Sequence, residues 1–404
     1  MNYPEIPIKL FEGIHFVGAL DPGLKRFDVI METKFGTSYN AYLVQGTKKT
    51  VLIDTVKDGF LSQSIGLIRK LIDPADIDYI LLQHVEPDHS GSIAQLLELA
   101  PQARILCSKA ASLYLPHIAN RELPIDVVKD GDVLDLGGRT LRCISAPFLH
   151  WPDTMFTYDD ASGALFTCDA FGCHFSPEHI LESLTDERFK EARRYYYDCI
   201  VSPFAPHVTR AIAHVEELKL PKISAILPSH GPVLDRDPMG AVALYAGWAK
   251  ERTPLSGDRV FIGYVTCYGY TRAMADKLAA CLQERGAKVD IKDLADISPE
   301  EAAAYIHQAD VLAIGSPTVN ADSLPPVWAA LSHISVPIVR SRTAVAFGSF
   351  GWSGEAVPMV EQRLIGLGYK VIGTVKSRFK PETAVLDEMS VLADKIAAVM
   401  KLDQ

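Results

Sequence analysis

A series of short apolar runs, each followed closely by a histidine or an acidic residue, constrains the fold more than any other feature. Residues 78–82 (DYILL) lead to His84-Val-Glu86-Pro-Asp88-His89. The run 141–146 leads to His150, the run 164–167 to Asp169, and the run 223–227 to His230. Because a strand holds the side chains at its end rigidly, we expect these seven groups to share one cleft. Seven groups exceed what one tetrahedral zinc ion needs.

The chemistry of these seven groups favours particular metals. Four imidazoles and three carboxylates without a thiolate suit iron or manganese better than zinc, and a carboxylate can bridge two ions. Cys168 precedes Asp169, but adjacent strand residues point to opposite faces, so Cys168 is predicted to be a core cysteine. Zinc stays open as an alternative metal.

The chain is long enough for more than one domain. Its 404 residues favour two or three domains. The polar stretch 251–258 contains Pro254 and Gly257, which interrupt regular secondary structure and indicate a linker. We place the boundary between domains 1–253 and 254–404. In the first, β runs such as 39–44, 50–54 and 78–82 precede helical segments, later runs such as 104–107 follow, and together they predict two sheets covered by helices.

In the second part, apolar strand-like runs alternate with helical patterns. This alternation predicts a doubly wound parallel sheet. The strand-like runs are 260–266, 311–316 and 343–348, the helical patterns are about 272–285, 325–333 and 355–367, and a last helix is expected at 383–401.

Charge, apolar runs and cysteine spacing argue against several classes of protein. The formal charge is −10 and there is no basic run, which argues against nucleic acid and anionic membranes as partners. Neither a signal peptide nor a membrane-spanning run is recognisable, so a cytoplasmic protein is expected. Seven cysteines without a C-x-x-C pair argue against a disulfide framework and a fused rubredoxin.

Three loops in the second part follow strand-like runs and suggest a phosphate-containing ligand. Residues 266–271 (TCYGYT) open onto a helix, whose N-terminal amides and dipole favour a phosphate. Residues 315–320 and 348–354 follow later strands. All three are expected at the carboxyl edge of the sheet, where such folds bind ligands.

The first part resembles the metallo-β-lactamase fold, in particular the lactamase-like domain of flavodiiron proteins. The resemblance rests on H-x-E-x-D-H at 84–89, Gly36 to Tyr42 (GTSYNAY) and His150 to Asp153 (HWPD), and it spans nearly the whole chain. It implies that His84, Glu86 and His150 hold one iron, that Asp88, His89 and His230 hold the other, and that Asp169 bridges the two.

The second part resembles flavodoxin, which implies FMN as the ligand. By this resemblance one loop holds the phosphate, a second meets the ring and a third brings Trp352 against the isoalloxazine. The implied FMN residues are Thr266, Cys267, Tyr268, Gly269, Tyr270 and Thr271, then Pro317, Thr318, Val319 and Asn320, and then Ser349, Phe350, Gly351, Trp352, Ser353 and Gly354.

The family resemblance implies reduction of dioxygen to water or of nitric oxide to nitrous oxide. It also implies a head-to-tail homodimer, in which Glu86 and Trp151 lie near the partner's flavin, and a separate electron donor, rubredoxin being the usual one. Two alternatives stay open: a dinuclear-metal hydrolase with a regulatory flavodoxin domain, and an electron carrier whose first domain serves only dimerisation.

One stretch departs from the family pattern. Many members have F-H-G-Y upstream of the G-T-x-Y-N-A-Y segment, whereas residues 27–30 here are F-D-V-I. A pocket histidine is therefore missing or replaced by another, such as His174. Outer groups of this kind tune a metal site, so the departure bears on substrate preference.

Overall fold

The computed structural model describes residues 6–28, 31–251 and 255–402. The chain forms two compact units, Met1–Arg252 and Thr253–Gln404. The boundary predicted between residues 253 and 254 lies outside the described residues. In the described ranges, no helix combines the length and the apolar character that crossing a membrane requires.

The first unit contains two large β-sheets and seven α-helices among its described residues. Its strands are β1 (Ile8–Phe11), β2 (Ile14–Phe16), β3 (Ala19–Asp21), β4 (Arg26–Phe27), β5 (Met31–Glu32), β6 (Thr37–Tyr39), β7 (Tyr42–Gln45), β8 (Thr50–Ile53), β9 (Tyr79–Leu82), β10 (Arg104–Cys107), β11 (Ile125–Val127), β12 (Val133–Asp135), β13 (Thr140–Ser145), β14 (Met155–Asp159), β15 (Ala164–Cys168) and β16 (Ala225–Pro228). Its helices are α1 (Leu61–Ile68), α2 (Pro87–Ser90), α3 (Ile93–Leu99), α4 (Lys109–Ala119), α5 (Arg188–Tyr196), α6 (Ala205–Glu217) and α7 (Pro238–Glu251). Besides the two large sheets, β3 pairs with β6 and β4 with β5.

The two large sheets pack face to face in the middle of the unit. Their strand orders are β1-β2-β7-β8-β9-β10-β11 and β12-β13-β14-β15-β16. Leu81 and Phe166 belong to the apolar cluster shared by both sheets, whereas Leu82 packs with the helices outside the first sheet. Side chains alternate in this way because successive strand residues point to opposite faces. The predicted αββα arrangement is confirmed.

One predicted strand is divided in two. The run 39–44 splits into β6, which pairs with β3, and β7, which pairs with β2 and β8. Asn40 lies at the break, where its side-chain amide donates to the carbonyls of Pro228 and Gly231 at 2.7 and 2.9 Å. These bonds hold the chain as it passes from one sheet to the other.

The second unit is a parallel sheet with helices on both faces. Its strands are β17 (Arg259–Tyr264), β18 (Lys288–Asp293), β19 (Val311–Gly315), β20 (Thr343–Phe350) and β21 (Lys370–Arg378), in the order β18-β17-β19-β20-β21. Its helices are α8 (Tyr270–Glu284), α9 (Pro299–Gln308), α10 (Pro325–Ser332), α11 (Val336–Val339), α12 (Ala356–Gly366) and α13 (Thr383–Met400). The predicted doubly wound sheet is confirmed, and its order changes direction between β17 and β19.

Candidate metal centre and flavin loops

All seven side chains predicted to bind metal converge at one end of the first unit. His84, Glu86, His150 and Asp169 offer ligand atoms that all lie within 4.8 Å of one another, and Asp88, His89 and His230 form a second such group. Six of the seven residues are buried and His150 is half-buried. The convergence follows from the fold, because both sheets end their parallel strands here.

Five of the seven ligand candidates lie on a helix or just after a strand. His84 follows β9 of the first sheet, and Asp169 and His230 follow the parallel neighbours β15 and β16 of the second. Asp88 and His89 lie on the short helix α2. The side chain of Gln83 joins the two sheets by donating to the carbonyls of Met155 and Phe166 at 3.1 and 2.9 Å.

Asp169 lies between the two groups of side chains. Its Oδ2 is 3.3 Å from Nε2 of His150 and 3.6 Å from Nε2 of His84. Its Oδ1 is 3.0 Å from Nε2 of His89 and 3.4 Å from Nε2 of His230. Each carboxylate oxygen therefore faces a different pair of imidazoles, which is the arrangement that a carboxylate bridging two ions requires.

The remaining carboxylates complete the two groups. Oε2 of Glu86 is 3.2 Å from Nε2 of His150 and 3.3 Å from Nε2 of His84. Oδ2 of Asp88 is 3.0 Å from Nε2 of His230. Donor atoms bonded at ~2.1 Å to one ion are separated by roughly 3 Å, so this spacing fits metal coordination.

The electrostatics of the site favour bound cations. Burial lowers the pKa of His84, but hydrogen bonds to Asp153 and Glu86 outweigh it and raise that pKa to about 10. Burial also lowers the pKa of His89, yet the charges of Asp88 and Asp169 raise it to about 10. Positive charge is thus stabilised here, whether it is carried by protons or by metal ions.

Unpartnered atoms give an independent test of whether the residues fit a metal. Both carboxylate oxygens of Asp88 and Nε2 of His89 are buried without a well-formed hydrogen bond, and the groups nearest to them are other candidate ligands. Buried polar atoms normally have a partner, and such exceptions need an explanation. A pair of metal ions supplies it, and the all-nitrogen and oxygen donor set suits iron.

In the second unit, the three predicted loops meet at the carboxyl edge of the sheet. Oγ1 of Thr271 is 2.9 Å from Oγ of Ser349, and the amide of Thr318 donates to the carbonyl of Ser349 at 2.9 Å. A Cβ at Gly348 would lie 1.9 Å from the carbonyl oxygen of Ser316, so these loops approach closely because residue 348 is glycine.

The first of these loops fits a phosphate and the third offers an exposed ring. Gly269 has a φ of +81° and caps the N-terminus of α8, whose first amides have no partner within the helix. The loop at 266–271 has no acidic residue that would repel an anion. Trp352 is 92% exposed, which excludes a core role and leaves its ring free to stack on a ligand.

Comparison with known proteins agrees with both halves. Residues 37–231 match the family described as "ODP family beta lactamase", and residues 262–391 match "Flavodoxin". The "Flavo-diiron protein FprA2" of Clostridium acetobutylicum is 39% identical over 376 residues, which cover 90% of this chain and 92% of that protein. The chain belongs to the flavodiiron proteins.

Other flavodiiron relatives extend the comparison. The "Anaerobic nitric oxide reductase flavorubredoxin" of Escherichia coli is 35% identical over 93% of this chain and 78% of its own length. The solved structure of rubredoxin oxygen:oxidoreductase from Desulfovibrio gigas is 31% identical, with a TM-score of 0.67 over 98% of both chains. The predicted family, oxidoreductase class and cofactors, FMN and a non-haem diiron site, are confirmed. The hydrolase alternative is not favoured.

This flavodiiron protein has an outer carboxylate to which sequence reasoning gave no role. Asp153 is buried, and its Oδ2 lies 3.0 Å from Nδ1 of His84 and accepts from the amide of Val85 at 2.9 Å. It directs Nε2 of His84 towards the site, as outer carboxylates do for metal-binding imidazoles. The signal available was the HWPD stretch, which marked the family but not this contact.

Cys168 is buried, as expected of a core cysteine, but the predicted direction of its side chain was wrong. Its sulfur lies within 4.8 Å of ligand atoms of His89 and Asp169 instead of pointing away from them. Cys168 has a φ of +49°, and the pairing of β15 with β16 shifts register beside it, so regular alternation ends there. Burial raises the pKa of the Cys168 thiol well above its usual value in the metal-free protein.

His174 lies beside the second group of ligands. Its ring centroid is 4.8 Å from that of His230 and 4.3 Å from that of Phe27, and Oγ1 of Thr37 is 2.9 Å from its Nδ1. Val29 and Ile30 of the departing stretch lie outside the described residues. The flavodiiron site thus has a nearby histidine that does not come from residues 27–30.

Proposed function

We propose that this chain reduces dioxygen to water, nitric oxide to nitrous oxide, or both, at a diiron centre that receives electrons through FMN from an external donor. One observation carries the proposal: the two oxygens of Asp169 face two separate pairs of imidazoles. Two relatives support the choice of substrates, since one is named a nitric oxide reductase and the other an oxygen oxidoreductase.

In this proposal the two groups of neighbouring ligand atoms correspond to the two iron ions. His84, Glu86 and His150 would hold one iron, Asp88, His89 and His230 would hold the other, and Asp169 would contribute to both. When bound, two ferrous ions and reduced FMN together supply four electrons, the number needed to convert dioxygen to two water molecules.

The protein's own part is to fix the ligands and exclude water. Nδ1 of His230 donates to the carbonyl of Ser38 at 2.6 Å, so Nε2 is the ring nitrogen that faces the metal position. Asp153 sets the tautomer of His84 in the same way. Nearly complete burial of the ligands keeps solvent from competing for the open coordination positions.

We further propose that the active form is a head-to-tail homodimer in the cytoplasm, with rubredoxin as the electron donor. In such a dimer Glu86 and Trp151 lie near the partner's flavin. Trp151 is half-buried, and its ring centroid is 5.0 Å from that of His84, so it links the edge of the unit to a ligand. A monomer that is fully active with its donor would contradict this arrangement.

The test is to measure anaerobic nitric oxide consumption and dioxygen consumption side by side. The protein should contain two irons and one FMN per chain, and chemically reduced rubredoxin should serve as the donor. We expect turnover of at least one gas, and the ratio of the two rates identifies the substrate. A loaded protein that consumes neither gas, or that holds two zinc ions and cleaves thioesters or lactams, would overturn the proposal.

A further inference from the structure

The first unit contains an apolar cavity behind the metal ligands. It has a volume of about 30 Å³ and lies between the outer face of the second sheet and helices α6 and α7. Phe156 of β14 and Leu165 of β15 contribute from the sheet, and Ala211 and Val242 contribute from the two helices. The cavity is set within the apolar cluster that covers this face of the sheet.

The lining makes the cavity unsuitable for water. Glu216 and Tyr245 are the two lining residues with polar side chains, and almost all of the surface that faces the cavity is apolar. Glu216 is exposed on the surface of α6, where its carboxylate is solvated. The buried hydroxyl of Tyr245 is then the one polar group of the lining that lacks a partner. A buried water needs two to four polar partners, so this single hydroxyl is not enough, and cavities lined by hydrocarbon take up apolar molecules such as xenon.

The size of the cavity limits its occupant to a very small molecule. About 10–15 Å³ of such space holds one water-sized sphere, so this cavity has room for a molecule of two or three atoms. Dioxygen and nitric oxide are both small and nearly apolar. The free-energy cost of transfer from water into an apolar cavity is therefore smaller for each of these gases than for water.

The position of the cavity connects it with the reaction. Leu149 lines it and immediately precedes His150, while Ala170 and Phe171 line it and directly follow Asp169. These three residues are nearly inaccessible to solvent. Met239, which also lines the cavity, is 50% exposed, so the lining extends from the protein surface to the backbone that carries two ligands.

We propose that this cavity binds the diatomic gas and supplies it to the diiron site. The proposal rests on the proposed function for the identity of the gas, but the binding site itself is a property of the folded chain. An apolar store beside the ligands raises the local concentration of the gas and admits little water.

Xenon is the probe for the site, because it is apolar, monatomic and visible to X-rays. Crystals of the protein loaded with iron and FMN should be pressurised with xenon, and we expect a xenon atom within the lining defined by Ala211, Phe156 and Val242. Absence of xenon from this cavity would overturn the proposal without bearing on the proposed function.

Filling the cavity tests its role in turnover. In Ala211→Leu the added carbons enter the empty space, whereas Ala213→Leu adds the same atoms at an exposed position of the same helix. We expect Ala211→Leu to lose bound xenon and to show a several-fold rise in KM for the gas with kcat unchanged. Ala213→Leu should keep the xenon and the parental KM.

The controls separate the proposal from a structural effect and from the proposed function. Iron content, FMN content and melting temperature of Ala211→Leu should match those of Ala213→Leu, because a folding defect would lower kcat and metal content together. An unchanged KM in a well-folded Ala211→Leu that has lost xenon would overturn the role of the cavity in gas supply. Failure of the parent protein to consume either gas would instead overturn the proposed function.

Discussion

The two candidate sites of this chain are built in opposite ways. At the metal centre the functional groups are side chains, and His84, His89 and Asp169 have at most 1% of their surface exposed. At the flavin loops the main features are backbone amides and exposed rings, with Tyr268 84% and Trp352 92% exposed. A site of buried charged side chains tolerates few substitutions, whereas a loop that binds through its backbone tolerates many.

This difference has an energetic origin. Buried carboxylates and imidazoles are costly unless each finds an opposite charge or a metal, so loss of one member leaves the others unpaired. The exposed loop side chains Tyr268 and Trp352 are already solvated, so replacing one of them leaves no buried charge unpaired. Substitutions at the metal centre should therefore have much larger effects than substitutions in the loops.

The largest effect is expected for Asp169→Asn. Because the asparagine side chain carries a single oxygen where two now face the two groups, we expect loss of at least one iron and a fall in gas consumption of about 100-fold or more. FMN content should not change. Metal analysis and rate measurements against Asp160→Asn, an exposed control, provide the test. Full activity in Asp169→Asn would favour the electron-carrier alternative.

Asp153→Asn should have the next largest effect. This residue touches His84 but lies outside the ligand groups, so the substitution removes the negative charge and one of the two accepting oxygens beside the imidazole without removing a ligand. We expect iron affinity or activity to fall by about 10- to 100-fold. Titration of the metal-free protein with ferrous iron measures the affinity, and an effect no larger than that of Asp160→Asn would contradict this role.

The pH dependence should also separate the two sites. In the metal-free protein, burial lowers the pKa of His150, but Asp169 and Glu86 outweigh it and raise that pKa to about 10, as for His84 and His89. Protons therefore occupy these imidazoles below pH 10 and must leave when iron binds. Iron affinity should fall about tenfold per pH unit for each proton displaced as the pH is lowered from about 9 to about 7.

Calorimetric titration in buffers with different ionisation enthalpies counts the protons released on iron binding. FMN serves as the internal comparison, because residues 266–271 include no histidine, aspartate or glutamate. FMN affinity should be nearly constant over the same pH range. Iron binding without proton release would contradict the protonated state of the metal-free site.

The smallest effect is expected for Trp352→Ala. Stacking of an aromatic ring on a ligand is worth about 1 kcal/mol, so FMN should bind several-fold more weakly. Stability should change by less than about 0.5 kcal/mol, since the side chain is almost fully exposed. Fluorescence titration with FMN and thermal unfolding, compared with Val391→Ala on α13, check both statements. A large loss of iron in Trp352→Ala would contradict the expectation that substitutions in the flavin loops leave the metal centre intact.

Much of the architecture followed from local patterns in the sequence. Runs such as 164–168 and 311–315 are mostly apolar and buried throughout because both faces of their sheets are covered. Alternation with helices indicated the parallel sheet of the second unit. The strands Lys288–Asp293 and Lys370–Arg378 were not among the named apolar runs, because edge strands alternate apolar and charged residues.

The sequence by itself indicated which seven side chains come together, because each lies a few residues beyond an apolar run that forms a strand. Tertiary structure alone decided that the oxygens of Asp169 face different imidazoles, that Asp153 orients His84 and that Cys168 turns towards the site. It also decided where the apolar cavity lies. These features depend on contacts between residues far apart in the chain, and such contacts are set by how the two sheets and their helices pack, which no local periodicity records.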